Sequence, residues 1–177
     1  MCIANMVQLV DPTTDLEQEY RAMIAEFVQN GEPDSYYRLP GDDFALFVAQ
    51  LKCEARGEGL PDWAVPQNTL WAVRDGRMVG VLKLRHHLTP ALENRGGHIG
   101  YFVRPSARGQ GCATQMLAHA LDKVRTLGLT RVLLTCNLDN YASARVMVKN
   151  GAMRDSDSIH PETGMAHARY WIDLELK

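Results

Sequence analysis

Residues 104–114 read RPSARGQGCAT, from Arg104 to Thr114, and this stretch decides the fold. It stands between a strand-like run, HIGYFV (98–103), and the clearest helical pattern in the chain. Ala113, Met116, Leu117, Ala120, Leu121, Val124 and Leu127 fall at helical spacing, and Gly128 sits where a helix C-cap belongs. Arg131 to Cys136 then forms a continuous apolar run, as expected of a strand covered on both faces. Residues 98–136 therefore read as strand, glycine turn, helix, strand: a βαβ unit with a parallel strand pair. The first N–H groups of a helix have no partner inside it, and the helix dipole adds positive charge at that end. Gly109 and Gly111 bring the backbone close to a ligand with no Cβ between. Together these features make a cradle for an anion such as a phosphate or pyrophosphate.

Outward from this unit, Met6 to Val10 reads as a short strand, and Leu16 to Val28 and Asp43 to Ala55 as amphipathic helices. Thr69 to His87 reads as two strands turned by Asp75-Gly76. LTPALENRGG (88–97) reads as a loop, Tyr141 to Asn150 as a short helix, and residues 152–159 and 166–176 as two closing strands. No repeat or long linker splits the chain, so a single domain over 1–177 is expected.

The chain has 177 residues and a net charge of −2, which does not suggest binding to nucleic acid. No apolar run approaches the ~20 residues that cross a membrane. The first residues do not read as a signal peptide, and four scattered cysteines without metal-ligand spacing fit a reducing cytoplasm. No metal site is expected. Charge is unevenly spread: residues 98–154 carry eight Lys/Arg against two acids, so the remainder carries the negative excess. That second half is suited to an anion.

Three kinds of anion cradle fit a glycine turn before a helix. A P-loop needs a Gly-Lys pair that is absent. A dinucleotide fingerprint needs a third glycine where Thr114 stands, and its acidic partner is misplaced, since Asp122 lies in the helix. Arg108-Gly109-Gln110-Gly111-Cys112-Ala113 instead resembles the R-x-x-G-x-G/A signature of the GNAT N-acetyltransferase superfamily. Val103 and Pro105 before it, and Asn140, Ser143 and Asn150-Gly151 after it, follow the family's pattern. The phrases GGHIGYFVRPS, LLTCNLDN and RYWIDL also look like a bacterial subgroup of acetyltransferases. The resemblance covers roughly residues 70–176, and the first third only by element order.

The resemblance implies an α/β fold: a mixed, mostly antiparallel sheet flanked by helices, with splayed parallel strands at its centre. It implies acetyl-CoA as co-substrate and direct transfer to an amine. The pyrophosphate is expected on the amides of Arg108, Gly109, Gln110, Gly111, Cys112, Ala113 and Thr114, and the pantetheine arm along Phe102 and Val103. Asn140 and Ser143 are expected to contact the pantetheine or the far end of the cofactor. Dimerisation is common in the superfamily, and the closing strands offer an interface.

The family's usual proton donor is a Tyr, and its position here holds Met147, which has no proton to give. Tyr141, Ser143 or Cys136 stand nearby as substitutes. For the base, His86, His87 and His98 are candidates, with Glu93 between them; His98, ahead of the strand lining the site, is the first choice, and a water chain without any side-chain base is the alternative. Cys112 at a helix N-terminus invites a nucleophilic role, but reads first as a small packed side chain. Tyr36, Tyr37, Trp63 and Trp171 offer aromatic walls for the acceptor. Glu32, Asp34, Asp42, Asp43, Glu58 and Asp62 make its surroundings acidic, which points to a small cationic amine. The rival readings are a non-catalytic acyl-CoA sensor, favoured by Met147, an acetyltransferase acting on a protein N-terminus or lysine, and a nucleotide-dependent enzyme.

Overall fold

Asp75 and Gly76 turn the chain at φ 51° and 76°, and the hairpin they close lies at the centre of the fold. The computed structural model describes residues 6–32, 38–159 and 163–174. Strands β1 (Gln8–Val10), β2 (Gln67–Arg74), β3 (Arg77–Arg85) and β4 (Ile99–Val103) form one antiparallel sheet in that order. β5 (Arg131–Asn137), β6 (Met153–Arg154), β7 (Ser158–Ile159) and β8 (Ala166–Asp173) form a second sheet, in which β8 pairs with each of the other three.

Helices cover both faces, as their periodicity requires. On one face, α1 (Glu17–Gln29) buries Tyr20, Met23, Ile24 and Phe27, and α2 (Phe44–Arg56) buries Phe44, Phe47, Val48 and Leu51, all against Trp71, Met78 and Val81. Each such side chain contributes roughly 1.5–3 kcal/mol by leaving water. α2 starts where the Asp43 side chain accepts from Leu46 N and stops at Gly57, whose φ is 77°. On the other face, α4 (Cys112–Thr126) packs Met116, Leu117, Ala120 and Val124 against Leu70, Leu82, Leu84, Val132 and Leu134.

Two local expectations are revised. The loop at 88–97 contains the short helix α3 (Pro90–Asn94), begun by Thr89, whose side chain accepts from Leu92 N, and by Pro90 in the first turn. The closing strand at 152–159 is broken into β6 and β7. Asp155-Ser156-Asp157 between them has poor strand propensity, and Asp157 pairs with Arg154 instead.

The seam between the two sheets positions the site. His98 N donates to Leu133 O at 2.7 Å, which ties the approach to β4 to the middle of β5. Gly97 makes that contact possible: it has φ 61°, and a Cβ added there would lie 2.3 Å from Leu133 O. Beyond this tie the hydrogen-bonded path stops between β4 and β5, and the two strands splay. α5 (Tyr141–Lys149) follows β5 across the opening.

Candidate active site

The open edge of β4 is the first component. Arg104 N donates to Val79 O, and Arg85 N donates to His98 O. With the register Val81↔Phe102 and Lys83↔Gly100, the even-numbered residues of β4 are the ones bonded to β3. Backbone polar groups of Ile99, Tyr101 and Val103 therefore face the opening. This corrects the place given to Phe102. Its main chain is committed to β3, so Tyr101 and the Val103 N–H offer the free edge, the Val103 carbonyl accepting from Arg108.

The cradle comes next. Gly109 and Gly111 have φ of 73° and 78°, and a Cβ added to either meets nothing within 4 Å. The space over the turn is open, and positive φ is the reason for glycine. Gly111 is the N-cap of α4 and supplies no capping side chain, so the first-turn amides of Cys112, Ala113 and Thr114 keep their donors for something else. The Arg108 amide does not join them, because it donates to Pro105 O at 3.2 Å. Cys112 is buried in the core below the turn, which makes it a packing residue and ends any nucleophilic reading. Gln110 braces the turn from outside, donating to Ser106 O and accepting from Arg74.

Both arginines of the opening stretch are tied to α1 and its end. Arg104 is buried, and its guanidinium donates to Glu26 at 2.7 Å, Glu19 at 3.1 Å and Met78 O at 3.1 Å. Glu26 also accepts from Ser106 N. Arg108 donates to Val103 O at 3.1 Å and to Glu32 at 2.6 Å, and that hydrogen bond holds the Glu32 carboxyl below its ordinary range. Sequence reading gave Arg104 no role, since its partners lie 78 and 85 residues away.

An opened strand edge leading into an uncapped glycine turn is what a long ligand with a phosphate at one end requires. The model of the acetyltransferase (GNAT) domain matches residues 13–153. The chain belongs to the GNAT acetyltransferase family. No curated protein matches its sequence significantly. Among solved structures it is similar to RimL, a ribosomal L7/L12 alpha-N-protein acetyltransferase in complex with coenzyme A, at a TM-score of 0.72 and 16% identity over 99% of this chain and 98% of that one. It is similar to Mycobacterium smegmatis RimJ in complex with CoA-disulfide, at 0.69 and 22% over 94% and 81%. It is also similar to the microcin C7 self-immunity acetyltransferase MccE in complex with acetyl-CoA and AMP, at 0.68 and 15% over 96% and 93%. At these identities the likeness is one of fold, and it agrees with the mostly antiparallel strands flanked by helices that the sequence implied; the expected parallel pairing of β4 with β5 does not form, because the two strands lie in separate antiparallel sheets.

In this acetyltransferase the far wall of the opening holds hydroxyls. Tyr101 on β4 reaches across to α5, with its Oη 2.8 Å from Ser143 Oγ. Burial pushes the phenol up to about 12, despite the Ser143 hydrogen bond, so it stays protonated at neutral pH. Cys136 lies close enough to act on it electrostatically, and burial raises that thiol as well. Met147 is buried in the core beneath α5. Asn140 caps α5, accepting from Ser143 N at 3.0 Å. Tyr141 is 71% exposed at the start of that helix and is not drawn into the wall. Tyr101 was the residue missed. Strand alternation assigns it a face, but only the fold places Ser143 opposite.

The three candidate histidines of the acetyltransferase, His86, His87 and His98, do not converge. His98 Nδ1 accepts from Leu133 N at 2.9 Å, so the imidazole pins the two sheets together. Burial first, and then the charges of Arg85 and His87, push its pKa down to about 4. A neutral ring accepting through Nδ1 carries its proton on Nε2, leaving no lone pair to take a proton from an amine. His98 is therefore corrected from base to structural pin. His86 Nε2 meets Asn68 Oδ1 at 2.9 Å, and His87 is exposed.

The acceptor side also differs from expectation. Glu32 is paired with Arg108, Glu58 with Arg56, and Asp43 caps α2. Asp34, Tyr36 and Tyr37 lie outside the described residues. Trp63 is 81% exposed. Trp171 stacks under the Arg131 guanidinium at 3.9 Å and donates to Asp155. Three of the six acids that suggested a cationic acceptor, Glu32, Asp43 and Glu58, are thus engaged by internal partners.

Proposed function

We propose that the chain works as a single catalytic domain that moves the acetyl group of acetyl-CoA directly to a primary amine. The observation that carries this reading is the continuous path from the odd-numbered edge of β4 into the uncapped turn at Gly109–Thr114. The amides of Cys112, Ala113 and Thr114 would hold the pyrophosphate, the backbone of Tyr101 and Val103 the pantetheine arm, and Asn140 and Ser143 would border that arm. Acetyl-CoA supplies an activated thioester carbonyl. The amine nitrogen forms the new C–N bond, the C–S bond breaks, and the proton lost by the amine balances the one gained by the thiolate. A main-chain N–H of Tyr101 or Val103 would stabilise the carbonyl oxygen.

In place of the missing tyrosine at Met147, the Tyr101 phenol would serve as the proton donor to sulfur. Its support is the Tyr101–Ser143 contact, which brings a protonated hydroxyl to the same opening from the opposite strand. Proton removal from the amine would pass to water, since His98 is committed to Leu133 N and His86 to Asn68. The test is thiol release from acetyl-CoA over a panel of amines, with CoA binding followed by calorimetry. Thiol release that depends on an amine supports the reading. Tight CoA binding without release supports the sensor, and preference for NAD or ATP over CoA removes the reading of the glycine turn.

A further inference from the structure

Directly opposed residues of antiparallel strands share a face. Thr69↔Lys83 and Lys83↔Gly100 are such pairs, so the three form one row across β2, β3 and β4. The neighbouring row is Trp71, Val81 and Phe102, which packs under α1 and α2. The polar row therefore lies on that same face, beside the middle of β4. Gly100 leaves a gap there: a Cβ added to it meets nothing nearer than Arg85 Nη1 at 4.0 Å. This gap adjoins Tyr101, whose backbone faces the opening.

The groups around the gap are cationic. Arg85 is held by the carbonyls of Gly96 and Gly97, at 3.2 and 2.9 Å, neither of which neutralises it. Lys83 is half-buried and has no ion pair or hydrogen bond among the described residues. Burial, and next the charge of Arg85, push its pKa down, while Glu54 works against them and Arg38 with them. Glu54 is already occupied, by Arg38 on one oxygen and by Gln67 on the other. Thr69, 6% exposed, buries its Oγ1 without a hydrogen-bond partner, directly across from Lys83. A half-buried ammonium beside a fixed guanidinium, with an unsatisfied hydroxyl next to it, is an incomplete ion site. An anion completes all three at once.

We propose that Lys83, with Arg85 and Thr69 beside it, binds an anionic group on the acceptor, so that the amine acetylated carries a carboxylate or a phosphoryl group. The proposal rests on the acetyl-transfer reading above and specifies its acceptor. A cationic acceptor would bring a third positive charge into a partly desolvated place. The same positive surroundings disfavour the ammonium form of the acceptor amine, which must lose its proton before it attacks.

The experiment compares matched amines: amino acids against their carboxamides, and aminoalkylphosphonates against their diesters. Each is tested with the unaltered protein, Lys83→Met and Lys83→Arg. Anionic members are expected to be favoured by about 10-fold or more in kcat/KM. Lys83→Met is expected to erase that preference through KM, leave the neutral members and CoA binding unchanged, and be partly rescued by Lys83→Arg. The carboxylate and phosphonate arms say which anion fits. In parallel, N-acetylamino acids and their amides are titrated into the protein with and without CoA, a readout that needs no turnover. Equal binding of acid and amide, or an equal loss for both in Lys83→Met, overturns the anion site. Neutral or cationic amines turned over as well as or better than their anionic counterparts by the unaltered protein also overturn it, while leaving acetyl transfer standing. Failure of CoA to bind removes acetyl transfer, and the titration still decides the anion site.

Discussion

His98 shows what a single residue does once its neighbours are known. In the folded protein its pKa lies near 4, against 6.5 for the free side chain. The unfolded chain therefore binds the extra proton between those values. The stability His98 contributes is complete above about pH 6.5 and is lost as pH falls toward 4, by up to ~3 kcal/mol. Denaturant melts at pH 7.5 and pH 5 are expected to show this loss, and His98→Gln to flatten it; a variant with the same slope would remove the pin. Tyr101 makes the complementary prediction. Tyr101→Phe is expected to lower kcat by about 10²-fold, within the range for a general acid, with CoA affinity nearly unchanged. A fall in CoA affinity with normal kcat would make the phenol a binding group. Neither role was legible in the sequence. The residues stood out by type and position, but Leu133 and Ser143, which define their chemistry, are 35 and 42 residues away.

Secondary elements were more legible, because each is encoded locally. The spacing of Ala113 to Leu127, the turn at Asp75-Gly76 and the apolar run at Arg131 to Cys136 each placed an element correctly. α3 was missed although Thr89 and Pro90 carry its start signal, since five residues give no periodicity to read. What local pattern cannot show is how α1 grips the β4–α4 turn. Its acids Glu19 and Glu26 hold the buried Arg104, so Arg104→Met leaves two carboxylates without their partner. Both carboxylates are partly exposed and keep a backbone donor, from Met78 N and Ser106 N, so the change is expected to cost about 1.5–3 kcal/mol in a denaturation experiment, the range for hydrogen bonds to charged groups. Glu32→Gln should behave differently. The Glu32–Arg108 pair is partly solvent-exposed, and its loss should change stability by less than about 1 kcal/mol. Because Glu32 places a negative charge beside the phosphate cradle, its removal is expected to tighten CoA binding about 2- to 10-fold, more at low salt than at high. Weaker CoA binding in Glu32→Gln would instead mean that the pair holds Arg108 in its working position.

At the scale of the molecule, the charge asymmetry seen in the sequence acquires a second meaning. The basic second half meets the acidic first half through Arg104, Arg108 and Lys123, which pair with Glu19, Glu26, Glu32 and Asp11. Part of the asymmetry therefore joins the two halves, and the remainder is available to an anion. Between those halves the sheet is divided, tied at Gly97 and His98 and open beyond. A ligand lying along Tyr101 and Val103 and ending on the first turn of α4 would replace the strand pairing that the splay removes. Saturating CoA at ~100 times its Kd should then add about 2.7 kcal/mol. In a chain of this size that is a rise in Tm of roughly 5–10 °C. Where the protection appears is the sharper readout. Hydrogen exchange is expected to slow at the amides of Tyr101 and Val103 on one side of the seam and of Cys112, Ala113 and Thr114 on the other. NAD at the same concentration should change neither. Protection confined to the turn, with β4 exchanging as before, would mean that only the phosphate end is recognised, and the divided sheet would then need a different explanation.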